Sequence, residues 1–400
     1  MSRTFPARSL GRQWLLVASP QTWTTPRSTS QRRSIADAWD CAKLLNDRLA
    51  GRVTYRREVL DGNQLQKLYA TLGRKWETAG PRQKAIPNGF NIPPGYHLIY
   101  FTPYGFEDVL GRDGSDTQFN APWPYTRRMW AGGKMTWQRP HVANLQVGEE
   151  VEERTWMVRA TAKRSASDGD WMVVVDLEKE YWGRRGLAMT EQRSWIFKKP
   201  VSSLKLAGLK ADWAAIEEAH AKEAETVLHP LGQKSGIQDM MPDDGGEYLE
   251  RHLKWSPVAL FRFSALTFNA HMIHYNESWT REVEGHPGPV VHGPLNLINM
   301  MDYWRDVHGT PEQLWPKEVT YRATAPIYAG EMYKFKTIAY TSESGLGPKD
   351  GARYVLRAQK NGIDCMLGEV VAHISKKTYD ALSPFKNQYK QAAQQQAAEE

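Results

Sequence analysis

Residues 293–304, read Gly-Pro-Leu-Asn-Leu-Ile-Asn-Met-Met-Asp-Tyr-Trp, restrict the fold of this chain more than any other stretch. Pro294 suits the first position of a helix, with Gly293 just ahead of it. The helix that follows is apolar at nearly every angle of its wheel, and such a helix must be buried on all sides. The other elements of this part of the chain read as strands, so the expected wrapping is a curved antiparallel sheet closed around one central helix. The start of that helix offers unpaired backbone N–H groups and the positive end of the helix dipole, a place for an oxygen that gains negative charge. The preceding loop, HPGPVVHG, delivers this start to the surface. A core helix with a Gly-Pro start and no chemistry is the competing interpretation.

Two blocks of strands share an order. The first runs VGEEVEERTWMVRATAKRSAS, a turn, DWMVVVDLEKEYWG, a turn and LAMTEQRSWIFK; the second runs AGEMYKFKTIAYTSES, a turn and ARYVLRAQKNGIDCMLGEVVAHIS. Each opens on Gly-Glu, at Gly148-Glu149 and Gly330-Glu331. Two copies of a small α+β unit joined by a helical linker over 201–254 account for this simply. Helices are also expected between Ser34 and Leu72, where apolar residues recur at three- and four-residue steps. Residues 81–126, dense in Pro, Gly, Asn and aromatics, read as a long irregular segment crossing a surface.

Charge says little about the folded part. The chain holds 52 Lys and Arg against 45 Asp and Glu, a net +7, and six of those positives are Arg3, Arg8, Arg12, Arg27, Arg32 and Arg33 in an acid-free stretch over residues 1–36. That composition is that of a mitochondrial transit peptide, or of a disordered basic end. The near-neutral remainder does not spread a basic stripe over a surface, so a nucleic-acid partner is not expected. No run of 18 apolar residues occurs, so no membrane-inserted helix is expected. Cys41 and Cys365 suit neither a disulfide framework nor a zinc site. A Gln/Ala-rich tail is expected over 379–400.

The chemistry concentrates in FSALTFNAHMIHYN, residues 263–276, followed by VVHGPL. This pair of motifs resembles the signature of the MaoC-like (R)-specific hydratase/dehydratase family, roughly Asp-x-Asn-Pro-x-His and then a His-Gly loop before the central helix. It is most similar to the branch that holds the mitochondrial 3-hydroxyacyl-thioester dehydratases of type 2 and their bacterial two-domain relatives; the block PYTRRMWAGGKMTWQRP, Pro124–Pro140, resembles the core of the degenerate first unit in that branch. The resemblance spans about residues 60–375. It implies an α+β double hot-dog fold, two antiparallel sheets each wrapping a central helix, with a degenerate unit over 60–200 that shapes the acyl tunnel and a catalytic unit over 255–378. It implies a hydro-lyase that dehydrates (3R)-hydroxyacyl thioesters to trans-2-enoyl thioesters, in mitochondrial type II fatty acid synthesis in the matrix, on substrates carried by acyl carrier protein or CoA.

By the same resemblance His274 matches the family's catalytic histidine, Asn269 stands where the family has its aspartate, His271 replaces the following Asn, and Gly293 matches the glycine whose N–H serves the oxyanion. Histidine suits proton transfer because its ordinary pKa of ~6.5 lies near working pH, and backbone N–H donors at a helix start suit an enolate oxygen. Asn269 cannot act as a base, so His274 is expected to move the proton while Asn269 orients water or the β-hydroxyl; Asn269 capping a turn is the alternative. Ser264, Thr267, His271 and His292 are expected around the substrate, and Arg127 and Arg128 toward an acidic carrier or a phosphate, or simply toward solvent. No metal and no cofactor is expected, because no carboxylate or thiolate stands at ligand spacing from the histidines. A hydratase of short or mesaconyl-type CoA esters and a non-catalytic acyl-thioester binder stay open, as does a homodimer.

Overall fold

Eleven strands, each paired antiparallel with its neighbours, form one sheet in the computed structural model, which describes residues 37–74, 85–138, 144–224, 234–242, 245–309, 314–341 and 351–373. The expected leader over 1–36 and tail over 379–400 lie outside the described residues. In chain order the elements are α1 (Ala38–Leu49), β1 (Val53–Val59), α2 (Gly62–Thr71), β2 (Arg127–Trp137), β3 (Glu150–Arg164), β4 (Trp171–Gly183), β5 (Gly186–Lys198), α3 (Ser203–Ala224), β6 (Gly236–Met240), β7 (Glu250–Lys254), α4 (Pro257–Leu266), α5 (Glu277–Glu282), α6 (Gly293–Trp304), β8 (Trp315–Ala323), β9 (Met332–Thr341), β10 (Arg353–Lys360) and β11 (Ile363–His373).

The sheet runs β1-β3-β4-β5-β2-β8-β11-β10-β9-β7-β6. It is therefore two arcs joined edge to edge, with Met135 of β2 opposite Val319 of β8 at the seam. This is the α+β double hot-dog architecture. In the second arc every residue of α6 from Leu295 to Trp304 is buried, among Val319, Tyr333, Phe335, Tyr354, Leu356 and Val370 of the strands. Full burial of each Leu, Ile or Met side chain is worth about 1.5–3 kcal/mol, which is why this helix can be apolar all round. The first arc differs. The inward row of β4, residues 173, 175, 177, 179 and 181, meets Cys41 and Leu45 of α1 through Val173, Val175 and Leu177, and meets a single helical turn at Tyr96–Ile99 beside Tyr181.

Local signals explain most helix starts. Asp61 accepts the N–H groups of Asn63 and Gln64 to open α2, Ser256 accepts that of Ala259 with Pro257 at the first position of α4, and Asn276 accepts that of Trp279 to open α5. Among the described residues, the linker expected as helical over 201–254 is a helix in α3 and returns to the sheet as β6 and β7, where Arg251 pairs with Phe335. All five residues of β6 are exposed, so this edge strand lacks the alternation that marks a half-buried one. The first arc also begins before residue 60, with β1 laid along β3 from Val53↔Trp156 to Val59↔Glu150.

Candidate active site

The motif starts where α4 stops. Phe268 takes a left-handed conformation, φ +46°, while the N–H of Asn269 returns to the Ser264 carbonyl at 2.9 Å and that of Phe268 to Ala265 at 3.3 Å. A glycine usually occupies this position of such a closure, and an L-residue there carries about 1–2 kcal/mol of backbone strain. The sharp exit brings Phe268, Asn269, His271 and His274 into the wall of one cavity of about 1150 Å³. Asn269 does cap a turn, since its Oδ1 accepts the His271 N–H at 3.1 Å; that leaves its Nδ2 donors for a ligand.

His274 closes the short turn Met272–His274. Its Nδ1 lies 2.7 Å from the Val290 carbonyl, and a carbonyl only accepts, so Nδ1 carries the proton and Nε2 is the bare nitrogen. Burial, and then the neighbouring His271, push this imidazole down to about 3, which keeps it neutral at pH 7. Its ring stacks on His292 with centroids 3.6 Å and planes 17° apart. His292 lies behind it, fully buried, with Nε2 2.9 Å from the Ser264 hydroxyl. It supports the catalytic candidate from behind and does not line the cavity. Ser264 and Thr267 line it, although the Thr267 hydroxyl is turned back to the Phe263 carbonyl at 2.8 Å.

Gly293 begins α6, and β2 reaches across from the first arc to meet it. The Trp130 indole lies so close that a Cβ on residue 293 would fall 2.7 Å from the ring. Only glycine fits there. The Gly293 N–H, which has no carbonyl within the helix to bond, belongs to the same cavity wall as Asn269 and His274, and Pro294 after it has no N–H.

Arg127 and Arg128 diverge from expectation. Arg127 does not line the cavity: its Nε donates to Glu284 at 2.8 Å and its Nη2 to the Glu284 carbonyl at 2.6 Å, tying β2 to the chain after α5. Arg128 lines the cavity but donates to Asp116 at 2.8 Å and stacks over Trp195. Neither stands free toward an acidic carrier, because each was captured by a carboxylate distant in sequence or on an irregular loop.

Asp113 is a buried carboxylate at the motif that sequence reasoning missed. It belongs to the irregular segment before β2 and reaches into the motif of the other half. Its backbone carbonyl accepts the Met272 N–H at 2.8 Å, and its Oδ2 lies 3.2 Å from Nε2 of His271. Gly114 beside it has φ +77°, and a Cβ there would overlap the Ala270 carbonyl. Burial alone would raise the Asp113 carboxyl, but the His271 imidazole and the Ser115 N–H and hydroxyl hold it well below the ordinary carboxylate range. In the sequence the Asp-Gly pair at 113–114 lies within the segment over 81–126 read only as irregular.

The first arc gives the same cavity a polar lining of Arg56, His97, Glu153, Thr155, Lys179 and Arg193. Lys179 lies 3.1 Å from Glu153 and Arg193 2.6 Å from the fully buried Glu191, which also accepts the Tyr181 hydroxyl at 2.8 Å. The Arg193 guanidinium sits 4.4 Å over the Trp130 ring, the indole that packs on Gly293. On this side the cavity is lined by charge as well as by apolar groups.

Residues 95–227 and 212–329 match the model of a family described as hydroxyacyl-thioester dehydratase type 2. The chain is 28% identical over 250 residues to mesaconyl-C(4)-CoA hydratase of Chloroflexus aurantiacus, covering 62% of this chain and 74% of that protein. It is 26% identical over 229 residues to the mitochondrial hydroxyacyl-thioester dehydratase type 2 of Schizosaccharomyces pombe, covering 54% and 68%. A MaoC-like dehydratase structure from Phytophthora capsici superposes with a TM-score of 0.49 at 12% identity, over 80% of this chain and 94% of that one.

Proposed function

Since this chain belongs to the hydroxyacyl-thioester dehydratase type 2 family, we propose that it removes water reversibly from (3R)-hydroxyacyl thioesters to give trans-2-enoyl thioesters. The observation that carries this reading is the pairing of a neutral His274, whose Nδ1–H is fixed on the Val290 carbonyl, with the open start of a wholly buried helix at Gly293. Loss of the C2 proton builds negative charge on the thioester oxygen. The Gly293 N–H, followed by a proline that has none, is the donor placed to receive it, and a well-placed donor of this kind lowers a barrier by roughly 3–4 kcal/mol. His274 Nε2 is the nitrogen free to take the proton, and the Asn269 Nδ2 group orients the β-hydroxyl or the water that replaces it.

The test is turnover of a 3-hydroxyacyl-CoA, followed as enoyl product, by wild-type protein beside His274→Ala and Asn269→Ala. Loss of turnover in His274→Ala with the fold intact supports the assignment; near-normal turnover overturns it. An acid-free, Arg-rich residue 1–36 segment and a mitochondrial relative support a place in the mitochondrial matrix and in type II fatty acid synthesis. Import of the full chain, set against a chain lacking residues 1–36, tests the first half of that statement.

The polar lining favours a second reading, in which the acyl group is short and ends in a carboxylate. Arg56, Lys179 and Arg193 line the cavity against two buried carboxylates, Glu153 and Glu191, which leaves one cation in excess, and a relative is named for mesaconyl-C(4)-CoA. Faster turnover of an unsaturated dicarboxylic monothioester than of its methyl ester selects this reading. The reverse order selects plain hydroxyacyl substrates.

A further inference from the structure

The motif has Asn269 where a carboxylate would be expected, yet a carboxylate does reach the site. We propose that Asp113 and His271 form a dyad in which His271 is a second catalytic histidine, the acid that protonates the departing β-hydroxyl, and Asp113 is the residue that positions it. This rests on the dehydratase reading above and divides the labour within it.

Asp113 Oδ2 and His271 Nε2 are both buried and make no aligned hydrogen bond, so an ion-pair approach is what joins them. Asp113 Oδ2 stands 3.2 Å from His271 Nε2, and Oδ1 is held by the Ser115 N–H at 3.0 Å and by its hydroxyl at 2.7 Å. Both residues are buried, and His271 lines the cavity. The Asp113 carbonyl also fixes Met272, so loop and motif move as one body. A buried carboxylate beside an imidazole orients the ring and stabilises positive charge on it. His274 has only a carbonyl as partner, so the two histidines, 5.6 Å apart between centroids, sit in environments that separate their roles. Two imidazoles at that spacing in a buried site repel when both are charged, and a carboxylate stands beside only one of them, which separates an acid role from a base role.

The proton balance closes. His274 Nε2 takes the proton from C2 as the C2–H pair moves to the thioester oxygen at Gly293. The electrons return to form the C2–C3 double bond, the C3–O bond breaks, and the oxygen leaves as water with the proton from His271. His274 then holds one proton and His271 has lost one, so solvent exchange resets the pair. Hydration runs the same steps backward.

The titratable and charged groups that face His271 and His274 are Asp113, His286, His292 and Arg128. The test uses the full chain and Asp113→Asn, which keeps the size and the backbone contacts and removes the charge. For a 3-hydroxybutyryl thioester kcat should fall roughly 100-fold with little change in KM, and the alkaline limb of the pH profile should move to lower pH. With 3-acetoxybutyryl thioester, whose acetate leaves without a proton, Asp113→Asn and His271→Gln should stay within a few-fold of wild type, and Asp113→Glu should restore part of the loss on the hydroxy substrate. An unshifted pH profile, or equal losses on both leaving groups, overturns the dyad and leaves the dehydratase reading standing. A wild-type chain inactive on every thioester overturns the dehydratase reading itself.

Discussion

The two arcs of the sheet solve the same packing problem with opposite chemistry. The second swallows α6, apolar on every side, and its core is Leu, Ile, Met and aromatic residues. The first holds α1 and a single turn against its inner face, and in the row between them stand Glu153, Thr155, Lys179 and Glu191. A full-length helix would fill that space. Where it is missing the cavity extends, and Glu153, Thr155 and Lys179 of that row become part of its lining. One half supplies the buried helix that starts at Gly293, and the other supplies most of the polar cavity wall together with the loop that brings Asp113 to the motif.

The largest effect should come from the chemical end of this contrast. His274→Ala removes the only proton acceptor whose tautomer is set by the Val290 carbonyl, and kcat should fall by about 10³-fold in an enoyl-forming assay while the thermal midpoint changes little. Turnover near that of wild type would move the chemistry to the first half.

Stability should then separate the cores. Leu297→Ala, in the fully buried helix, should cost about 2–5 kcal/mol in urea unfolding, as an apolar core site does. Lys179→Met leaves the buried Glu153 with the Thr155 hydroxyl and the Arg56 cation at 3.5 Å and should cost about 3–5 kcal/mol, whereas the double change Lys179→Met with Glu153→Gln should recover most of that loss. An apolar core would show no such recovery, so a double mutant as weak as the single one contradicts the ionic account of the first arc.

The histidines add a pH signature. Burial pushes His274 down to about 3, and His286 and His308 to about 4, against ~6.5 in an unfolded chain. The unfolded state therefore binds more protons over that interval, so stability is full above about pH 6.5 and declines as pH falls toward 4. Urea midpoints at pH 7 and pH 5 check the sign; a midpoint that rises on acidification contradicts it. The smallest effect is expected at Phe268, where a glycine relieves left-handed strain of about 1 kcal/mol and Phe268→Gly should stabilise the fold or leave it unchanged.

How much of this was legible in the sequence follows the range of each interaction. Residues 293–304 announced a swallowed helix because burial on all sides leaves its mark on every residue, and the strand blocks showed themselves by aromatic and β-branched content. His274, Asn269 and Gly293 were found through local motifs, and the cavity brings all three together. What escaped depends on distant partners. Asp113 meets a residue more than 150 positions away on an aperiodic segment, Arg127 was captured by Glu284, and β6 is too exposed to leave an alternating pattern. Lys179 and Glu191 read as ordinary strand charges, since alternation along β4 and β5 does not reveal that both inner rows face a cavity.

The most direct measurement is the rate of enoyl formation from a 3-hydroxyacyl-CoA by purified wild-type chain beside His274→Ala with its fold checked by circular dichroism. The account predicts steady turnover by the first and a loss of about 10³-fold in the second. Equal rates in the two proteins, or no turnover in wild type with the thioester tightly bound, would contradict it.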